Sequence, residues 1–247
     1  MRLNGYDNLE GIGMSKQNGM LKRLTQLGLI LMMGVVMSAN AGWFGFGGDS
    51  WKEEVLLHDG SKIIVKRSQS YGGRSEVGQG GPIKEHTVSF TLPNSNKTIK
   101  WTSEYSEDVG RANFNLLALH ILNGTSYVVA DPNLCLSYNK WGRPNPPYVL
   151  FKHDGKAWQR IQMSELPLEF KTINVSLDIR GRQVEELVEM GKVSAEQIKQ
   201  RNAHTEIPQH KTILREAWQQ ERLNQMCPQY SSGPKAPIPV QPKALQK

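Results

Sequence analysis

Gly48-Asp49-Ser50 is the first stretch whose residue types could do chemistry. A serine there could serve as an esterase nucleophile only if an Asp-x-x-His further along supplied the base. The last aspartate is Asp178, and no histidine follows it at that spacing. No apolar strand pattern precedes Ser50 either, so the Gly-rich run WFGFGGDS reads as a lead-in to the folded body. WTSEYSEDVGR offers Glu104, Glu107 and Asp108. Paired carboxylates can cleave a glycosidic bond when they flank it in a cleft. A solvated acidic turn, with Ser106 capping a short helix, is the simpler use of the same residues. His58, His86, His120, His153, His204 and His210 form no HExxH pattern and no Cys/His ligand spacing, so no metal site is expected. There is also no GxSxG elbow or phosphate-cradling glycine loop, and no cofactor is expected.

The stretch SYNKWGRPNPPYVLFKHDGKAWQRI, residues 137–161, is the least generic part of the chain. Tyr138, Trp141, Tyr148 and Trp158 supply flat apolar faces, and Arg143 a planar cation. Pro144, Pro146 and Pro147 stiffen the connection, which lowers the entropy lost when a loop is ordered by a ligand. Tyr138, Trp141, Arg143 and Tyr148 are therefore the candidate binding residues. Core packing competes with that reading, because alternate positions of a strand face inward. Part of the stretch is also explained as a hairpin turning at Asp154-Gly155, which leaves residues 139–147 as the unexplained portion.

The elements that must position these residues are mostly strands. VLLHDGSKIIVKR turns at Asp59-Gly60, HTVSFTLPNSNKTIKW at Pro93-Asn94, and LLALHILNGTSYVVAD at Asn123-Gly124. A helix over 111–122 competes for one of these runs, but the Asn-Gly turn and the β-rich TSYVVA after it favour a strand. Residues 68–82 are Gly-rich and polar and read as a surface loop. The expected fold is mainly β, an antiparallel sandwich or propeller-like meander, with a small α-helical C-terminal segment. In that segment GRQVEELVEM places Val184, Leu187 and Val188 on one helix face, with Gly191 at the C-terminal stop. Ser194 and Gln197 are spaced as a capping box, with Val193 and Ile198 as its hydrophobic staple. After a break at Pro208, KTILREAWQQERLNQM pairs Ile213 with Ala217 and Leu214 with Trp218, as an amphipathic helix would.

The N-terminal run MLKRLTQLGLILMMGVVMSANAGW has a basic start, a short apolar core and Ala39-Asn40-Ala41, the plan of a signal peptide cleaved near Ala41. Its apolar core falls short of the ~20 residues a spanning helix needs, and Asp7 and Glu10 before it suggest a start at Met14 or Met20. The expected organisation is a signal peptide over 1–41 (its first nineteen residues an over-extended start), a flexible mature N-terminus over 42–50, a β-rich domain over 51–177, a helical segment over 178–230 and a disordered tail over 231–247. Removal of 1–41 takes four basic and two acidic residues from a net charge of +7, leaving +5. That charge is spread rather than striped, so no nucleic-acid partner is expected, and no transmembrane segment is expected in the mature chain. Cys135 and Cys227 are the two cysteines, and in an oxidising compartment they are expected to form a disulfide tying the β body to the last helix.

The run CLSYNKWGRPNPPYVLFKHDGKAWQRI, with NLLALHILNGTSYVV before it and EFKTINVSL after, resembles a family of exported proteins of Gram-negative bacteria to which no activity is assigned. The resemblance implies an envelope location, periplasmic or secreted, and no site residues. The expected function is non-enzymatic binding of an envelope component or protein partner through the aromatic/Arg loop. The alternative is a hydrolase acting on envelope glycan with Glu104 or Asp108 and a distant partner.

Overall fold

The computed structural model describes residues 48–75, 81–177 and 179–229. The expected signal peptide, the tail and the middle of the Gly-rich loop lie outside them. Two antiparallel sheets carry the fold. The first orders its strands β11-β1-β2-β3-β4: β1 (Gly48–Leu56), β2 (Lys62–Tyr71), β3 (Ile83–Thr91), β4 (Thr98–Thr102) and β11 (Lys192–Val193), which joins β1 in parallel. The second is β10-β9-β8-β7: β7 (Phe114–Leu122), β8 (Thr125–Pro132), β9 (Val149–His153) and β10 (Trp158–Ile161). Between them runs a small pair, β5 (Tyr105–Ser106) and β6 (Arg111–Ala112). The four hairpins turn where the sequence places them. At the β7–β8 turn both Asn123 (φ 51°) and Gly124 (φ 73°) are left-handed, the backbone that an Asn-Gly hairpin requires.

Period-two alternation explains the first sheet. Trp51, Glu53 and Val55 on β1, Arg67 and Gln69 on β2, and His86, Val88 and Phe90 on β3 are buried, while their neighbours are not. Val55, Val88 and Phe90 meet Leu119, Ile121, Val128 and Val149 of the second sheet in one core. The mainly-β expectation therefore holds, in its sandwich form. The second sheet does not alternate, because its outer face is covered too. Leu117, Tyr127, Val129 and Leu150 pack there against Leu166, Phe170 and Ile213 from the later chain. A strand buried on both faces reads as one continuous apolar run, which is why FNLLALHIL looks equally helical. A bulge between Leu116 and Ala118 sets Leu117 and Ala118 together on the outer face. Asn174 seals the open edge of β7: its Oδ1 accepts from Leu119 N (2.9 Å), and its Nδ2 donates to Leu119 O (2.7 Å) and Leu56 O (2.9 Å).

The helices are α1 (Leu134–Lys140), α2 (Arg182–Met190), α3 (Ala195–Asn202), α4 (Pro208–Lys211) and α5 (Gln220–Met226). Gly191 ends α2 at φ 65°, and the Ser194–Gln197 capping box forms, with Val193 and Ile198 in one apolar cluster beside Trp51. Six details differ from the sequence expectation. Val188 is partly exposed, and only Val184 and Leu187 are buried on α2. β1 takes in Gly48 to Ser50, and β2 runs on to Tyr71 into the expected loop. Ser106 caps no helix; it lies on β5, and its hydroxyl donates to Asn113 Oδ1. Helix α1 sits within the stretch expected to be β-rich, where the sequence expectation has no helix. Finally, 212–219 is irregular rather than helical. There the backbone finds better partners outside itself: Ile213 N donates to Lys171 O, Leu214 N to the Tyr148 hydroxyl, and Trp218 N to Asn145 Oδ1. Tertiary bonds of this kind override a helical apolar pattern.

Candidate functional site

Helix α1 and the loop after it gather the sequence-selected residues around the disulfide. Cys135 and Cys227 are bonded, with Cα atoms 5.4 Å apart, joining α1 to the end of α5. Tyr138 is buried against Leu223 and Cys227, and its hydroxyl donates to Pro144 O (3.2 Å). Arg143 lies over the Tyr138 ring (4.9 Å) and donates to Asn139 Oδ1 (2.6 Å) and Cys227 O (2.7 Å). Trp141, half-buried, packs on Phe114 with ring centroids 4.6 Å apart, and the Arg160 guanidinium lies over its ring at 5.7 Å. Tyr148 is buried; its hydroxyl accepts from Leu214 N (3.1 Å) and lies 3.0 Å from Gln209 O. Burial pushes the Tyr148 phenol up to about 12. Tyr138 and Arg143 thus touch, Trp141 points to the inter-sheet core, and Tyr148 anchors the outer face. They brace a wall; they do not form one open platform.

What they brace is a cleft of about 620 Å³. Tyr138, Pro147 and both bridged cysteines line one side, and the end of the second sheet lines another. Asn115 and Asp131 are cross-strand partners just past the apolar Leu117 and Val129, so the outer face turns polar there. His210, on α4 after Pro208 at the helix start, reaches Asp131 with Nε2–Oδ2 3.0 Å. Because the carboxylate only accepts, Nε2 must carry the proton. Both side chains are mostly buried, at 7% and 14% exposure. Asp131 Oδ1 is buried with no hydrogen-bond partner among the described residues. Arg74, Arg111 and Arg180 also line the cleft. Further in, burial, with the charges of Arg67 and Arg180, holds His86 down to about 3.

The mouth is apolar. Leu134 and Leu136 are 59% and 58% exposed, and Ile207 is partly exposed beside them. Leu134 has φ 64° and so sits in the left-handed region, which bulky side chains avoid. Holding it there costs roughly 1–2 kcal/mol. No side chain caps the start of α1; Asn133 uses its Nδ2 on Ala112 O instead.

A His–Asp pair can orient a general base. Here the described lining holds no serine, threonine or free thiol for it to activate, and the lone phenol, Tyr138, already donates elsewhere. The other sequence candidates stand apart. Glu104, Glu107 and Asp108 are exposed and outside the cleft lining, and a hydrogen bond from Lys140 lowers the Asp108 pKa. Ser50 is an exposed position on β1 facing Ser68 in the ladder. His58 packs on Phe170, and His153 on Trp158. Asp131 and His210 could not be picked from the sequence, because 79 residues separate them and neither belongs to a spaced pattern. No group of three or more His, Cys, Asp or Glu side chains placed to hold a metal occurs among the described residues, and none of their helices is long and apolar enough to cross a membrane. Comparison with family models, curated proteins and solved structures gives no match.

Proposed function

We propose that this chain is an exported, non-enzymatic binding module of the cell envelope whose site is the cleft behind the disulfide. The observation that carries this reading is the cleft itself: concave, within the size range of small-molecule sites, and mouthed by exposed Leu134 and Leu136. Tyr138 of α1 and Arg143 of the loop over 139–147 contribute by bracing the wall that carries Cys227. Export is supported by the signal-like N-terminus and by a disulfide, a bond that persists in oxidising compartments.

The test is mass spectrometry of molecules retained by the chain purified from envelopes. Native protein and Leu168→Glu, which alters an exposed leucine outside the cleft, are expected to retain the same molecule. Leu136→Glu, which puts a charge in the mouth, is expected to lose it. Equal retention by Leu136→Glu, or nothing retained by the native chain, sinks the reading.

A further inference from the structure

The cleft combines two chemistries that one ligand class satisfies together. Its described lining has the guanidiniums of Arg74 and Arg111, beside an already engaged Arg180, against a single carboxylate, Asp131, whose Oδ2 already accepts from His210 Nε2. Arg74 donates to a neutral acceptor, Glu107 O (3.2 Å), which leaves its charge uncompensated by that contact. Arginine stays charged at any physiological pH, and its planar fork matches carboxylate and phosphate oxygens. An inorganic anion would use that wall and ignore the mouth. A neutral lipid would do the reverse. Leu134, held outward at a strained backbone position, argues that the apolar mouth is part of the site.

We infer that the cleft binds an anionic amphiphile, its carboxylate or phosphate head held by Arg74 and Arg111 and its apolar body lying against Leu134, Leu136 and Ile207. This rests on the binding reading above and names its ligand class. The chain's own segment 230–247 is a poor occupant on charge, since it has lysines and no acidic residue to set against arginines.

The test is calorimetric titration of the purified chain with single-chain probes below their micelle concentrations. Dodecyl phosphate is expected to bind at least a hundredfold more tightly than inorganic phosphate, and octyl to dodecyl phosphate should gain about tenfold for every two methylenes. Dodecyltrimethylammonium, with the same tail and opposite head, is expected not to bind. Arg111→Gln should weaken dodecyl phosphate about tenfold or more, and Leu136→Glu should erase the dependence on chain length. Both are rim positions, so matching thermal melts keep folding out of the comparison. Dodecanoate stands for a free fatty acid and lauroyl lysophosphatidylglycerol for a membrane lipid; binding of either supports the class, and the tighter one names the source. Equal binding of the cationic probe, no effect of tail length, or no binding of any anionic probe overturns the inference. If Leu136→Glu still loses the envelope-derived molecule in that last case, the cleft remains a binding site and only this ligand class falls.

Discussion

Two acid–base clusters sit in this molecule, and they are finished to different degrees. On the inner face of the first sheet, Glu53 and Arg67 form a fully buried ion pair at 3.2 Å. Both groups have further partners. Glu53 also accepts from Trp51 Nε1 (2.8 Å) and Ser176 N (3.3 Å), while Arg67 donates to Ser176 O (3.0 Å) and lies over the Trp51 ring. At the end of the second sheet, Asp131 and His210 make the equivalent contact beside open space, with one carboxylate oxygen unpartnered among the described residues. A closed cluster ties β1, β2 and the later chain together; an open one leaves polar capacity for something else.

The largest expected effect comes from the bond that closes the cleft wall. Cys135 and Cys227 span 92 residues of sequence, and a loop of that length carries about 4.5 kcal/mol in the chain-entropy account. Cys135→Ala with Cys227→Ala should lower the denaturant midpoint accordingly and also weaken dodecyl phosphate binding. Loss of stability with unchanged binding would show that the bridge serves the fold alone and that the wall holds without it.

Breaking the closed cluster should cost nearly as much. Arg67→Met strands the buried Glu53 charge, and removal of one partner of a buried pair costs about 3–5 kcal/mol. Asp131→Asn, at the open cluster, should cost about 1–2 kcal/mol, because a neutral amide there still accepts from His210. Urea unfolding of the two variants gives the ratio; equal losses would remove the distinction between the clusters.

Acid should act through histidines kept neutral by the fold. Burial first, with Arg67 and Arg180, holds His86 at about 3, and burial first, with His58, holds His120 at about 4. An unfolded chain protonates both near the ordinary histidine value of about 6.5. Between that value and about pH 4 the unfolded state binds more protons, so stability is present above pH 6.5 and is lost as pH falls. The loss is about 1.4 kcal/mol per pH unit for each histidine. His120→Gln, which can keep a bond to Thr172 O, should halve the slope measured by urea midpoints across that window. An unchanged slope would place the proton uptake elsewhere.

The framework was legible in the sequence where local rules act alone. Asp59-Gly60, Asn123-Gly124 and Asp154-Gly155 announced hairpins because left-handed turns need those residues, and Ser194–Gln197 announced α3 because its cap is internal to the chain. The apolar stripe of 212–219 misled because Lys171, Asn145 and Tyr148 offer its backbone partners no local pattern reveals. The candidate site was half legible. Tyr138 stood out by type and lines the cleft, with Arg143 behind it on the Tyr138 ring, yet the polar centre is assembled from β8 and α4, and the lining arginines are scattered from 74 to 180. Long-range convergence leaves no spacing to read.

The smallest effect is the most discriminating, because it sets stability against function at one residue. Leu134 occupies a backbone region that glycine enters without a clash, and its side chain is more than half exposed, so little burial is lost on truncation. Leu134→Gly relieves the left-handed strain but gives the unfolded chain more freedom. The net should be a gain of up to about 1 kcal/mol, or no change, in urea unfolding. If Leu134 is kept for the mouth of the cleft, the same variant should bind dodecyl phosphate several-fold more weakly. A destabilised Leu134→Gly with native affinity would mean that this leucine packs for the fold, and the apolar mouth would lose its best argument.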